Sequence, residues 1–350
     1  MFQPRGKKKF RLGILVVGGC SVGMGHVSRC ISLVRILTGK TQLTLPDVCF
    51  IFEETDEITQ LSAYIEAAGL GLCAIRSFDF VEKGKLNFDV LIVDRLQNSK
   101  ENIKNLRILA KKLVLIDDVN CGYGQGDMCV NPLYPPTLGI TETTKNTKLF
   151  VGPEFHIPRP EMLKNKKKAF HTTISKIGIM QGGTDPNCCS LRIAKAVNRA
   201  INKKFSECKI IIFSGPFNDC EYNNESCSDT LDNQISILRD SPVIVDEMLS
   251  CDLVISAVGV TALDLCQLRV PSVFITSIPE EFVTGKALMK LGITQFFGRE
   301  NEINLGRLER FIAHSNYQYF CEKFVSECDK LFDGTGLGRV IETLEEYLEV

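Results

Sequence analysis

Short apolar, β-branched runs alternate with helix-like segments along almost all of this 350-residue chain. Eight such runs predict strands, at residues 12–17, 47–52, 89–94, 112–117, 176–180, 208–213, 252–257 and 271–276. Helical spacing of apolar residues predicts helices near 26–38, 57–68, 101–111, 187–201, 260–268, 281–291, 305–313, 317–332 and 337–347. Continuous apolar strands separated by helices are typical of parallel sheets covered on both faces. The sequence therefore predicts an α/β protein built from parallel sheets.

The alternation is interrupted once, between about residues 131 and 173, where six prolines and a lysine-rich run occur. A new strand–turn–helix unit begins at residue 176. We therefore expect two doubly wound, Rossmann-like domains that face each other across a cleft, over residues 1–152 and 174–350, with a linker at 153–173. The last helices would be free to pack back across the cleft. Open parallel sheets bind ligands beyond the carboxyl ends of their strands, so the loops at those ends are the candidate sites.

The charge balance excludes a general nucleic-acid binder. Lys and Arg number 41 and Asp and Glu number 42, a formal net charge of −1, whereas binding of phosphates needs a basic surplus or face. The lysine-rich runs at 6–10 and 164–168 are interpreted first as solvated segments and second as anion-binding patches. The apolar run at 12–17 is far shorter than the ~20 residues that span a bilayer. We expect a soluble, cytoplasmic protein; the sequence does not indicate its oligomeric state.

Fifteen cysteines are present, without a C-x-x-C pair and without histidines at zinc-binding spacing. The neighbours Cys188 and Cys189 fall in a predicted helix, where adjacent side chains diverge, which argues against a metal or redox role. Many thiols without a disulfide pattern favour a reducing cytoplasm. We expect no metal and no cofactor.

The first candidate loop lies between the first strand and the first helix. Gly23 and Gly25 leave its backbone open to a ligand, and His26 stands at the helix start, where the helix dipole disfavours the imidazolium form. A neutral imidazole is what a general base requires. Arg29, one turn later, is a candidate contact for an anionic or polyhydroxylated substrate. Alternatively, His26 merely caps the helix or packs beneath the loop.

Carboxylates end two further strands of the first domain. Asp94 ends the run at 89–94, and Asp117 and Asp118 end the run at 112–117. Asp94 and Asp118 are candidate ligands for sugar hydroxyls, and all three are also ordinary turn residues.

The second domain opens with a strand followed by Gly182, Gly183, Thr184 and Asp185. Asp185 is a plausible N-cap of the next helix. Free amides, a hydroxyl and a helix N-terminus together suit a phosphate group. Alternatively, the stretch is a tight turn with a good cap and no ligand.

A third loop carries Ser256, Gly259 and Thr261 ahead of a short helix that contains Asp264. The backbone amides of this loop suit a diphosphate, and the carboxylate of Asp264 suits ribose hydroxyls. Alternatively, the loop is an ordinary connection between a strand and a helix.

Glu280 and Glu281 begin the next helix and are candidate nucleotide-binding residues; alternatively, acidic residues there are favourable for the helix dipole alone. Neither the lysine-containing phosphate loop nor G-x-G-x-x-G is present, because Ser28 stands at the last position of the latter.

Taken together, these stretches resemble the PseG/SpsG family, typified by the UDP-sugar hydrolase of pseudaminic acid biosynthesis, with relatives in spore-coat polysaccharide pathways. The resemblance extends to about residue 292 and rests on the sequences at 23–30 (GMGHVSRC), 116–118 (IDD), 150–162 (FVGPEFHIPRPEM), 180–187 (MQGGTDPN), 252–266 (DLVISAVGVTALDLC) and 279–292 (PEEFVTGKALMKLG). The late loop is shared more widely with MurG-like glycosyltransferases. The chain departs from the family after the first strand, at Asp264, where the family has Glu, and at Glu280–Glu281, where it has Asn-Gln.

The resemblance implies a GT-B fold with the sugar on the N-terminal domain and UDP on the C-terminal domain. His26 would activate water for an inverting attack on the anomeric carbon, and UDP would leave. Gly183 and Thr184 would hold the diphosphate, and Gly259, Thr261 and Asp264 would lie around the phosphates and ribose. The implied partner is a nucleotide sugar, UDP-linked by the resemblance, in nonulosonic acid or surface polysaccharide synthesis.

Two alternatives stay open at this point. The same fold serves glycosyltransferases that pass the sugar to a hydroxyl or amine. A non-catalytic protein that binds nucleotide sugars would also fit the altered sugar-side motif. A dehydrogenase is disfavoured because the dinucleotide fingerprint is missing.

Overall fold

The computed structural model describes residues 10–19, 22–53, 57–84, 86–133, 146–167, 169–185, 188–201, 208–215, 218, 220, 235–239, 244–276, 281–299 and 305–349. The chain forms two compact units. The first contains the described residues of 1–19, 26–157 and 334–350, and the second contains those of 20–25 and 158–333.

The first unit is built on a seven-stranded sheet in which all neighbours run parallel, in the order β3-β2-β1-β4-β5-β6-β7. Its strands are Phe10–Val16 (β1), Val48–Phe52 (β2), Ala74–Ser77 (β3), Phe88–Asp94 (β4), Ala110–Ile116 (β5), Met128–Asn131 (β6) and Lys148–Val151 (β7). The central strands β2 and β4 are almost wholly buried, as continuous apolar strands of a covered parallel sheet should be.

The second unit is built on a six-stranded, wholly parallel sheet in the order β10-β9-β8-β11-β12-β13. Its strands are Lys176–Met180 (β8), Lys209–Ser214 (β9), Ile235–Arg239 (β10), Leu253–Ser256 (β11), Ser272–Thr276 (β12) and Phe296–Arg299 (β13). In each sheet the strand order reverses beside the first strand, between β1 and β4 and between β8 and β11. Such reversals are where doubly wound sheets bind ligands.

The helices pack along these sheets. In chain order they are Gly25–Lys40 (α1), Ile58–Ile65 (α2), Phe78–Gly84 (α3), Lys100–Leu109 (α4), Pro160–Lys164 (α5), Cys189–Ile201 (α6), Ile244–Ser250 (α7), Val260–Gln267 (α8), Glu281–Lys290 (α9), Leu305–His314 (α10), Tyr317–Leu331 (α11) and Thr335–Glu349 (α12). No helix in the described part of the chain is long and apolar enough to cross a membrane.

All eight predicted strands and all nine predicted helices are confirmed to within a few residues. The sequence did not predict five of the strands, β3, β6, β7, β10 and β13. It also did not predict three of the helices, α3, α5 and α7. The four edge strands carry short or mixed patterns; β3 and β10, for example, have mostly half-exposed residues. A weak apolar pattern is what a strand with one open edge needs.

The last helix, Thr335–Glu349, lies with the first unit. Two polar contacts show why. The hydroxyl of Tyr347 donates to the carbonyl oxygen of Asp127 at 3.2 Å, and Lys148 Nζ lies 2.8 Å from Glu346 Oε2. Helix α12 therefore returns to the edge of the first sheet, next to β7.

Candidate functional site

The loop after β1 leads directly into α1 at the point where the first sheet reverses its order. Gly23 has a φ of 78°, in the left-handed region that favours glycine, and α1 begins two residues later. His26 is therefore the second residue of α1, and its relative exposure is 8%. The switch point of the sheet thus carries an imidazole at a helix N-terminus, as the sequence predicted.

His26 is held by the carboxylate that ends the neighbouring strand β4. Its Nδ1 lies 2.6 Å from Asp94 Oδ1. An ionised carboxylate only accepts hydrogen bonds, so Nδ1 carries the proton. Arg29 Nη2 also lies 3.2 Å from Nδ1, but a guanidinium only donates, so the shorter contact to Asp94 sets the tautomer. In the neutral imidazole the lone pair is then on Nε2, which bonds to no other side chain or backbone group in the described part of the chain.

Arg29 is buried beneath this pair. Its Nε lies 2.9 Å from Asp94 Oδ2 and its Nη2 lies 2.6 Å from Asp94 Oδ1. Its Nη1 lies 2.5 Å from Asp117 Oδ2. The side chain is fully buried, so Arg29 fixes the orientation of Asp94 rather than presenting the exposed substrate contact that the sequence suggested.

The charges of this cluster stabilise one another. Burial alone would raise the pKa of Asp94, but the Arg29 charge and the hydrogen bonds from His26 and Arg29 hold the pKa well below its usual range. Burial alone would lower the pKa of Arg29, but Asp117 and Asp94 raise the pKa above its usual value. Asp94 is therefore a permanent carboxylate at neutral pH, able to stabilise a positive charge on the imidazole.

The two adjacent carboxylates after β5 have different partners. Asp117, with a left-handed φ of 55°, joins the cluster through Arg29. Asp118 instead accepts from Asn98 Nδ2 at 2.5 Å and from the amide of Asn120 at 2.8 Å, and burial raises its pKa. Asp118 organises its own loop. Only the β1-β4-β5 strand order separates the roles of Asp117 and Asp118, which the sequence places side by side at the end of one strand.

In the second unit, the loop after β8 begins with Gly182, whose φ is 80°. Gly182, Gly183 and Thr184 are each partly exposed. Asp185 is buried, and its two carboxylate oxygens accept from the amides of Cys189 at 2.8 Å and Ser190 at 3.0 Å. Asp185 is not the predicted N-cap, because α6 begins at Cys189, but its side chain still caps the first two amides of that helix. Gly182–Thr184 stay partly exposed, and Pro186 and Asn187 lie outside the described residues.

One cysteine interpretation is wrong. Cys188 lies outside α6, which begins at Cys189, and its φ of 49° is left-handed. Cys188 therefore points away from the helix and forms a disulfide with Cys220, 32 residues later. Adjacent side chains diverge in this way only where both residues are helical, and of this pair only Cys189 is.

The loop after β11 brings some of its predicted residues together. Gly259 is the N-cap of α8, and a Cβ built on it would lie 3.3 Å from Glu281 Oε1. Thr261 is partly exposed in the first turn of α8. Glu280 lies outside the described residues.

Ser256 and Asp264 are less accessible. Ser256 is fully buried and its hydroxyl donates to the carbonyl of Ala257 at 3.0 Å. Asp264, 4% exposed, lies 3.8 Å from Arg159 Nη2.

Two polar side chains at the carboxyl edge of the second sheet were not among the predicted site residues. Gln181 ends the strand β8 region and Ser214 ends β9; both are buried. Gln181 Oε1 and Ser214 Oγ have no hydrogen-bond partner among the described residues. Buried polar atoms are normally satisfied, so unpaired ones at a ligand-binding edge are informative. The signal in the sequence was a polar residue ending an apolar strand.

No family model matches the chain. An uncharacterized protein of Methanocaldococcus jannaschii is 26% identical over 276 residues, which is 75% of this chain. The chain spans about half of that relative's length, 55%.

Solved structures resemble the whole chain. MurG of Acinetobacter baumannii superimposes with a TM-score of 0.62 at 12% identity, covering 96% of this chain and 99% of the other. A UDP-glucosyltransferase of Polygonum tinctorium gives 0.59 at 12% identity, covering 99% and 100%. TcCGT1, solved in complex with UDP, gives a TM-score of 0.58 at 12% identity, covering 97% of this chain and 100% of the other. The chain has the GT-B fold.

Proposed function

We propose that the protein is a nucleotide-sugar hydrolase of the PseG/SpsG type, which releases UDP and a free sugar with inversion at the anomeric carbon. The observation that carries the proposal is the 2.6 Å contact between His26 Nδ1 and Asp94 Oδ1. It leaves Nε2 as a proton acceptor at the switch point of the first sheet. A base in that state and place suits activation of a nucleophile.

In this mechanism Nε2 of His26 takes a proton from water while the water oxygen attacks the anomeric carbon. The bond between that carbon and the diphosphate oxygen breaks, and UDP leaves with the electron pair. Asp94 stabilises the imidazolium that forms, and it does so without taking the proton itself. Arg29 and Asp117 hold Asp94 in place, so the base needs no reorganisation during the reaction.

The second unit would bind the nucleotide. The Gly182–Thr184 loop and the helix N-terminus at Gly259 would offer backbone amides to a diphosphate, whereas Asp185 already takes the first two amides of α6. A carboxylate repels a diphosphate, so we assign Glu281 and Asp264 to ribose hydroxyls. TcCGT1, which shares the fold, was solved with UDP. The unpaired oxygens of Gln181 and Ser214 provide further polar contacts at this edge.

A second candidate function is glycosyl transfer. Some solved structures with this fold are named as glycosyltransferases, among them the UDP-glucosyltransferase of Polygonum tinctorium and the calicheamicin glycosyltransferase CalG4, which favours a sugar acceptor other than water. The same His26–Asp94 pair would then deprotonate an acceptor hydroxyl. The two functions differ in their product: a new glycoside instead of a free sugar.

The test is release of UDP from a panel of UDP-linked amino sugars by the full chain, with and without EDTA. We expect His26→Ala to lower turnover by about 10²–10⁴, the usual contribution of one general base. His314→Ala is the matched control because His314 is exposed at the end of α10, and its turnover should equal wild type. Unchanged turnover in His26→Ala would refute the base, and UDP binding without turnover of any donor would favour a binding protein.

A further inference from the structure

The Cys188–Cys220 disulfide joins the two loops that flank the candidate nucleotide edge of the second sheet. Cys188 follows the Gly182–Asp185 loop, and Cys220 lies in the loop after β9. These loops also touch directly, because a Cβ built on Gly215 would lie 2.5 Å from the carbonyl oxygen of Gly183. The disulfide therefore adds a covalent link between two loops whose backbones are already in contact.

The loop held by this disulfide has an unfavourable backbone. Asp185 and Cys188 are both left-handed, with φ of 42° and 49°, a conformation that costs non-glycine residues about 1–3 kcal/mol each. Local bonds oppose that cost: the amide of Cys188 donates to the carbonyl of Asp185 at 2.8 Å, and Asp185 caps α6. A covalent link at Cys188 adds to the forces that hold this turn.

The two sulfurs differ in access. Cys188 is exposed, whereas Cys220 is only 7% exposed and its sulfur lies 3.4 Å from the carbonyl oxygen of Asp185. An incoming thiolate can therefore reach the Cys188 sulfur and expel Cys220, whose thiol then has a hydrogen-bond acceptor in place.

The other cysteines of the described part are poorly suited to thiol–disulfide exchange. Ten of those eleven are buried, and Cys121 is half-buried. Burial raises the pKa of Cys208 and of Cys251 to about 12 each, which keeps them as unreactive thiols.

We propose that Cys188 and Cys220 form a thiol–disulfide exchange site that controls the order of the Gly182–Asp185 loop and, through it, nucleotide binding. The co-reactant is a dithiol. One of its thiolates attacks the Cys188 sulfur, forming a mixed disulfide and releasing Cys220, which takes a proton. The second thiolate attacks the mixed disulfide and releases Cys188, which is protonated in turn. The pair gains two electrons and two protons, and the dithiol becomes a disulfide.

The disulfide-bonded form is the binding-competent one, because Gly182–Thr184 are open and ordered in it. Reduction removes the covalent restraint on the turn, so a smaller fraction of molecules has the binding-competent loop conformation. The apparent affinity for the nucleotide falls in proportion to that fraction. The effect on nucleotide binding rests on the proposed function, whereas the ordering of the loop does not.

The test uses the full chain, oxidised in air or reduced with dithiothreitol. Peptide mapping should find the Cys188–Cys220 link in the oxidised form and lose it after reduction. Amide hydrogen exchange at Cys189 and Ser190, whose amides Asp185 accepts, should then become about tenfold faster in the reduced form. Cys188→Ser should exchange fast in both conditions, and Cys121→Ser, the control, should behave as wild type.

Absence of the Cys188–Cys220 peptide, or exchange that dithiothreitol does not change, would overturn the proposal. Calorimetry with UDP then separates the two proposals. Binding that weakens about tenfold on reduction supports the control of binding, and equal binding in both states refutes it. Failure of UDP to bind in either state refutes the nucleotide assignment, while the exchange data still decide whether the disulfide orders the loop.

Discussion

Replacing Arg29 with methionine should destabilise the first unit strongly. Arg29 is the shared partner of Asp94 and Asp117, and each of the three side chains is at most 2% exposed. Methionine preserves much of the apolar stem but leaves two buried carboxylates without their cation. Removing one partner from a buried charge cluster typically costs about 3–5 kcal/mol. For a unit of this size that is a fall in melting temperature of roughly 6–20 °C.

The loss of stability in Arg29→Met should depend on pH in a defined direction. In wild type the pKa of Asp94 lies well below its usual range, so its ionised form stabilises the fold above about pH 4, and that stabilisation is lost as the pH falls. In the variant, burial without Arg29 raises the pKa, so ionised Asp94 destabilises the fold at neutral pH. The difference in unfolding free energy between wild type and Arg29→Met should be widest near pH 7, narrow steadily as the pH falls towards 4, and narrow further below pH 4.

Scanning calorimetry between pH 3.5 and 7.5 measures both effects and can separate the transitions of the two units. Arg107→Met is the matched control, because its pair with Asp127 is 3.5 Å long and the Arg107 side chain is 42% exposed. Such a surface pair contributes about 0–1 kcal/mol. A fall below 2 °C for Arg29→Met at pH 7, or a gap that does not change with pH, would refute the reasoning.

Substitutions at three further positions test the second unit. Asp185→Ala removes the cap of α6 and should cost about 1–2 kcal/mol in calorimetry, and a loss below ~0.5 kcal/mol would contradict the cap. Gly182→Ala should cost about 1–2 kcal/mol from the left-handed φ alone, because no atom of the other described residues beyond its chain neighbours lies within 4 Å of a Cβ built there, and Gly182→Asn should cost less. Burial opposes ionisation of Asp252, but hydrogen bonds from Ser175, His171 and Lys176 lower its pKa. Asp252→Asn should therefore cost about 2–4 kcal/mol near pH 7, with a gap that narrows below about pH 4 in denaturant titrations; a constant gap would contradict this.

The fold was predictable because buried parallel strands have a strong local pattern. The run DVLIVD at 89–94 is apolar and β-branched, and β4 occupies it almost residue for residue. Edge strands lack that pattern: β3 has the sequence AIRS and half-exposed side chains. Their existence depends on a neighbouring strand that local sequence does not reveal.

The candidate site was predictable only in part. The glycines and His26 lie close together in sequence, and the strand–helix turn places them. The partnership of His26 with Asp94 and of Arg29 with Asp117 depends on β1, β4 and β5 being neighbours, a property of strand order. Arg29 resembled a substrate contact because sequence does not report burial. With fifteen cysteines, the pairing of Cys188 with Cys220 could not be deduced from spacing.

The most direct test of the central claim is proton and phosphorus NMR of the wild-type chain with UDP- and CMP-linked amino sugars, recorded from the first minutes. The account predicts free UDP together with a single free sugar that appears first as the inverted anomer, and no such products with His26→Ala. Release of the retained anomer, or equal product formation by His26→Ala, would contradict it.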